Sequence, residues 1–174
     1  MKNKIFLIIV VALLAVGCAR GEQYPWDEEG RNLRITTTWR EISPSYIYYI
    51  AISTDPVEAP SHDPVSWDRF YVVRWEDHNF FFKKPYENYR SLSSSSLSER
   101  EMVVTLSLVD DLGNPDTIWV MVVSTDKGGN VEDYLDEGAV VFRPYQQSSK
   151  PLIYDPSEDA DRVADLLSLK IEVR

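Results

Sequence analysis

The chain of 174 residues carries 28 acids against 18 lysines and arginines, a formal charge of −10. That balance, with no cluster of Lys and Arg, excludes a nucleic-acid partner, because phosphate contacts depend on grouped cations. A single cysteine excludes an internal disulfide, so apolar burial has to hold the domain, and a chain of this length can bury roughly two-thirds of its unfolded surface in one core.

At the start, Lys2 and Lys4 precede twelve apolar residues, Ile5 to Val16, and then Gly17 and Cys18. A membrane-crossing helix needs about 20 apolar residues. A positive start, a short apolar run and small residues at its end instead predict a signal peptide over residues 1–17. The stretch Ala15-Val16-Gly17-Cys18 resembles the lipobox of bacterial lipoproteins. In that family the peptide is cut before the cysteine, whose sulfur takes a diacylglycerol and whose freed amine is acylated. The resemblance implies lipidation of Cys18 and a lipid anchor in the bacterial cell envelope, since several acyl chains grip a bilayer far better than one. It implies the outer membrane in a Gram-negative cell, because Ala19 rather than Asp follows the cysteine, and otherwise the outer face of the plasma membrane. The alternative is an ordinary signal peptide with an incidental thiol. Without residues 1–17 the charge becomes −12 (16 bases against 28 acids), which disfavours lying flat on anionic lipid heads.

Residues 18–31, polar with Pro and Gly, read as the lipidated cysteine and its tether, and 32–174 as one domain. Leu33, Ile35, Thr37 and Trp39 alternate with polar neighbours, the period of a half-buried strand. "SYIYYIAIST" is apolar on both faces and predicts a central strand, with Pro44 at the turn before it. Three prolines make residues 54–66 a loop. "WDRFYVVRWEDHNFFFKK" predicts one or two aromatic strands turning near Asp77 to Asn79, and "SLSSSSLSER" a serine-rich connection. "EMVVTLSLV", "TIWVMVVST" and "AVVFR" predict three more strands. In "DPSEDADRVADLLSLK", Asp155 or Ser157 looks like an N-cap, and Val163, Leu166 and Leu167 share a helical face, so a short C-terminal helix is expected, with "LKIEV" able to close as a strand. Strands at this density predict a mainly β fold, an antiparallel sandwich.

"VMVVSTDKGGN", residues 120–130, resembles the F strand and F–G turn of fibronectin type III-like domains, with Asp126, Gly129 and Asn130 at the turn and Val120, Val122 and Ser124 inward. Trp39 resembles that family's strand-B tryptophan, and Tyr48 or Tyr49 its strand-C tyrosine. The resemblance implies an Ig-like, fibronectin type III-like sandwich with a long insertion near residues 55–100.

Catalysis is not expected. There is no Gly-x-Ser-x-Gly elbow, phosphate-cradling glycine loop or His-Glu-x-x-His, and the histidines are only His62 and His78. His62-Asp63 and Glu76-Asp77-His78 converging on a metal is the minor alternative to loop histidines beside solvated acids. EF-hand spacing fails from Asp155, whose twelfth residue is Leu166, and from Asp126, whose sixth is Val131. No cofactor and no metal are therefore assigned. The aromatics stand out instead: nine fall within residues 67–89. Trp67, Trp75, Phe80, Phe81, Phe82, Tyr86 and Tyr89 are the candidate ligand- or partner-binding residues, because three consecutive phenylalanines cannot all face one buried side of a strand. Core packing is the competing explanation. The expectation is a non-catalytic envelope lipoprotein whose sandwich binds an envelope protein, or alternatively a carbohydrate-binding or adhesive surface module.

Overall fold

The computed structural model describes residues 31–135, 138–146, 149–154 and 163–174. In chain order the strands are β1 (Asn32–Trp39), β2 (Tyr46–Ser53), β3 (Tyr71–Glu76), β4 (Asn79–Lys83), β5 (Arg90–Ser91), β6 (Ser95–Leu97), β7 (Glu101–Ser107), β8 (Ile118–Asp126), β9 (Val131–Tyr134), β10 (Val140–Phe142), β11 (Ser149–Tyr154) and β12 (Leu166–Val173). They make two antiparallel sheets packed face to face. One runs β11-β12-β1-β7-β6; the other runs β10-β8-β2-β3-β4-β5, with β9 also on the free edge of β8.

Period-two patterning sets the inner faces. Leu33, Ile35, Thr37 and Trp39 of β1 and Met102, Val104 and Leu106 of β7 are buried. Opposite them lie Tyr48, Ile50 and Ile52 of β2 with Val120 and Val122 of β8. Trp39 meets Tyr48 edge-on at 4.7 Å between centroids, and Tyr48 meets Trp75 at 5.5 Å, so an aromatic column bridges the layers. The gap left among Trp39, Tyr48, Trp75 and Met102 is only about 10 Å³. Of the polar tips in that column, Trp39 Nε1 donates to Thr37 Oγ1 at 2.9 Å, the Tyr48 hydroxyl accepts from Ser43 N at 3.1 Å, and Trp75 Nε1 is buried without a hydrogen-bond partner.

The outer face of the second sheet is buried too. Ala51, Val72, Met121 and Val123 all point away from the sandwich interior yet are excluded from water. Residues 54–70 cover them. Two 3₁₀ turns, Pro64–Arg69, are joined by a kink at Trp67, capped by Asp63, whose side chain accepts from Val65 N, and entered by a proline in the first turn. Trp67 stands edge-on to Tyr49 at 5.8 Å, while its Nε1 donates to Ser61 O at 2.9 Å. Trp67 was expected at the start of an aromatic strand; it is instead the plug of this covering segment. The serine-rich connection likewise contains the end of β5 and the short strand β6.

The expected C-terminal helix is corrected over its last part. Residues 163–164 turn, and Leu166 onward is β12, paired with β1 from Leu33↔Val173 to Trp39↔Leu166 and with β11 on its other edge. Two hydrogen-bonded edges and burial of Leu166, Leu169 and Ile171 outweigh a weak helical face. Residues 155–162, with Asp155 and Ser157, lie outside the described residues. A buried polar set pins the turn: Asp133 accepts from Leu166 N at 2.6 Å, Ser124 Oγ donates to Ala164 O at 3.1 Å, and Arg40 pairs with Asp165 at 2.6 Å.

Candidate functional site

β3 and β4 form a hairpin with a two-residue turn, Asp77-His78, both at positive φ (47° and 65°). That is the primed turn whose twist suits a hairpin. Its register places Trp75 against Phe80, Arg74 against Phe81 and Val73 against Phe82. The three phenylalanines are thereby divided. Phe82 is fully buried, Phe80 is partly buried against the core, and Phe81 stands half-buried on the outer face.

An apolar patch built from the whole aromatic run does not form. Trp67, Trp75 and Phe82 are core residues, because the sheet is covered on both sides and each ring fills a layer between them. Tyr89 is half-buried, and Tyr86 is the aromatic among the exposed large hydrophobic residues described, at 83 %.

What the hairpin does assemble is a cation–aromatic stack. The Arg74 guanidinium carbon lies 4.3 Å from the Tyr89 ring centroid and 5.2 Å from that of Phe81, and an Arg74 nitrogen is 3.2 Å from the Glu76 carboxylate. Lys83 Nζ approaches the same Tyr89 ring at 5.5 Å. Burial pushes the Tyr89 hydroxyl up to about 12, against the opposing pull of the Arg74 charge. Burial raises Tyr49 as well, again opposed by Arg74 and by a hydrogen bond to Thr125. Arg74 thus lies over two rings, those of Phe81 and Tyr89. Arg74 and Lys83 were not singled out in the sequence, where the alternation "VVRWE" offers Arg74 only as an outward residue. Its ring partners come from β4 and the following loop, and only pairing brings them together.

The other candidates are separated. His62 stacks on Tyr134 at 4.6 Å, while His78 lies edge-on to Trp75 at 5.9 Å on the hairpin turn. Among the described residues no group of three or more His, Cys, Asp or Glu is placed to hold a metal ion. Asp126 is occupied by its own turn: it accepts from Asn130 N and Nδ2 at 2.8 and 2.7 Å, which holds its carboxyl below the usual carboxylate range. Gly129 supplies that turn's positive φ of 87°. At the same end an open cleft of about 350 Å³ is lined by Arg40, Glu41, Ile42, Glu99 and Arg100. Cys18 and the tether lie outside the described residues, and no helix among those described is long and apolar enough to cross a membrane.

No family model matches the chain, and no curated protein or solved structure matches it either.

Proposed function

We propose that this chain is a non-catalytic envelope lipoprotein, anchored through lipid on Cys18, whose β-sandwich binds another envelope protein. The observation that carries the binding half is the Arg74–Phe81–Tyr89 stack. Arg and Tyr dominate the energetics of protein interfaces. An arginine already clamped between two rings loses little side-chain entropy on binding. The anchoring half rests on Ala15-Val16-Gly17-Cys18 behind its apolar run.

The domain is Ig-like in this reading. What supports it is strand order. The sheet β12-β1-β7-β6 runs in the order of Ig strands A-B-E-D, and β10-β8-β2-β3-β4 runs in the order G-F-C-C′-C″. Trp39 on β1 and Tyr48 on β2 then occupy the strand-B and strand-C aromatic positions. One departure is plain: the place of strand A beside β1 is filled from the other end of the chain, by β12.

A carbohydrate-binding or adhesive module is the weaker reading, because the tryptophans that would serve as platforms, Trp67 and Trp75, are buried.

Cross-linked capture from native envelopes with Gly21–Arg174 as bait tests the binding half. Phe81→Ser with Tyr89→Ser, both at half-buried outward positions, should remove one enriched partner while the melting curve stays cooperative. No enriched protein, or a partner indifferent to both changes, overturns it. Cys18→Ser should release the protein from membranes and remove the acyl mass from its N-terminal peptide; unchanged fractionation overturns the anchor.

A further inference from the structure

Strand direction and register define two ends of the sandwich. The Trp39 end of β1 meets Tyr48 near the start of β2, so the Asn32 end of β1 lies with Ser53, Tyr71, Lys83 and Trp119. At that end the chain from residue 31 joins the fold. Asn32 and Arg174 exchange two backbone hydrogen bonds, at 2.7 and 2.9 Å, and Leu108 N donates to Arg31 O at 3.0 Å.

Tyr86 sits at this same end, in an unusual place for a tyrosine. Glu87 N donates to Lys84 O at 3.0 Å, Pro85 is the second residue of the turn, and Tyr86, the third, has φ 61°. This is the pattern of a type II turn, whose third position favours Gly or Asn. A bulky residue in the left-handed region is strained, and here it is also 83 % exposed. Its backbone is held by its own N–H, which donates to Asp68 O at 2.8 Å. Neither conformational preference nor burial places a tyrosine here.

Two further loops join it. Lys84 Nζ donates to Asp110 O at 2.7 Å and Arg90 pairs with Asp111 at 2.9 Å, which ties the turn to the loop carrying the exposed Val109. Arg69 pairs with Glu58 at 2.7 Å, beside Val57, which is 88 % exposed. Val109 is 42 % exposed, close to the 40 % of Leu97 and 37 % of Val131 toward the opposite end, and Val65, at 86 %, lies on the covering segment, so the difference between the ends rests on Tyr86 and Val57.

We propose that this end of the sandwich rests on the bilayer interface, with the Tyr86 ring among the lipid headgroups and Val57 and Val109 beside it. The proposal builds on the anchored reading above and moves Tyr86 from the protein-binding set to the membrane. Twelve residues lie between Cys18 and Arg31, thirteen Cα steps that span at most ~45 Å extended and ~20 Å as a flexible coil. A lipid on Cys18 therefore holds this end nearer the membrane than the opposite one. An aromatic ring with a polar tip is the side chain that favours the interface. The Arg74 stack, on the outer face of the second sheet, stays free for a protein.

The test uses the chain from Cys18, which contains every described residue and one thiol. That thiol is coupled either to a maleimide lipid in phosphatidylcholine vesicles or to a water-soluble maleimide polyethylene glycol. Hydrogen exchange is then followed by mass spectrometry. On vesicles the amides of residues 84–89 and 108–114 should exchange at least ~3-fold more slowly than on the soluble tether, with residues 40–45 and 126–130 unchanged. Tyr86→Ser should abolish the slowing without lowering the melting temperature. Equal rates on both supports overturn the proposal, as does slowing confined to the opposite end, which would place that end on the membrane. Slowing that survives Tyr86→Ser overturns the role of the ring. Because the coupling is chemical, this result is independent of whether the cell acylates Cys18, which the mass of the native N-terminal peptide decides separately.

Discussion

Tyr48 ties three parts of the molecule together at one side chain. Its ring bridges Trp39 and Trp75, and its hydroxyl accepts from Ser43 N at 3.1 Å and donates to Val163 O at 3.4 Å. Burial pushes that hydroxyl up to about 12, above the ~10 of an unfolded tyrosine. A folded-state value that is raised means the neutral form is favoured on folding. The contribution is whole below pH ~10 and is lost as the pH rises toward ~12, on the order of 1–2 kcal/mol. Tyr48→Phe should cost about 1 kcal/mol at pH 8 through the lost hydrogen bonds. The gap to the parent should then narrow by pH 11, because the variant has nothing to ionise there. Urea unfolding at the two pH values measures this; a gap of constant size would mean that the hydroxyl does not govern alkaline stability.

At the scale of elements, the covering segment 54–70 explains why β2 and β8 are apolar on both faces. A strand pair with one face in water would show alternation, and "YIYYIAIS" does not. Trp67 is the anchor of that cover, 1 % exposed against Tyr49. Trp67→Ala should destabilise the domain by roughly 3–5 kcal/mol and remove the near-ultraviolet circular dichroism of the Trp67–Tyr49 pair. A loss below about 1 kcal/mol would mean that the segment is held by its backbone and the Glu58–Arg69 pair instead. The hairpin β3–β4 carries a different lesson. "NFFFKK" in the sequence leaves open which rings are buried, and the answer follows from register alone: Phe82 falls opposite Val73 and inward, Phe81 opposite Arg74 and outward.

Over the whole molecule, the ends of the described fold are joined. β12 lies between β11 and β1, so the last strand of the chain sits beside the first and completes the inner wall with Leu166, Leu169 and Ile171. A chain ending at Asp165 would lose both pairings and leave β1 with an open edge over an exposed core. It should fail to fold cooperatively, giving a sloping melt and collapsed amide dispersion by NMR; a cooperative transition would show that the remaining strands suffice. The same joining puts Arg174 next to residue 31, so a bulky tag fused after Arg174 would stand where Tyr86 and Val109 are proposed to meet lipid.

Local chemistry was legible without the fold. The period of two in β1 and the double-sided apolarity of β2 established a mainly β chain, since side chains alternate across a strand whatever it pairs with. The turn at Asp126–Asn130 was likewise legible, because an aspartate and a glycine at that spacing close it on themselves. Distant pairing was not. A weak helical face over Val163, Leu166 and Leu167 yielded to a strand only because β1 and β11 offered two edges. The aromatic run left core and surface both open until two sheets and a covering segment buried Trp67, Trp75 and Phe82. Arg74 met Phe81 and Tyr89 through register and a loop return. Those outcomes depend on contacts between residues far apart in the chain, and it is the pairing of strands, not the order of residues, that decides which side of each faces water.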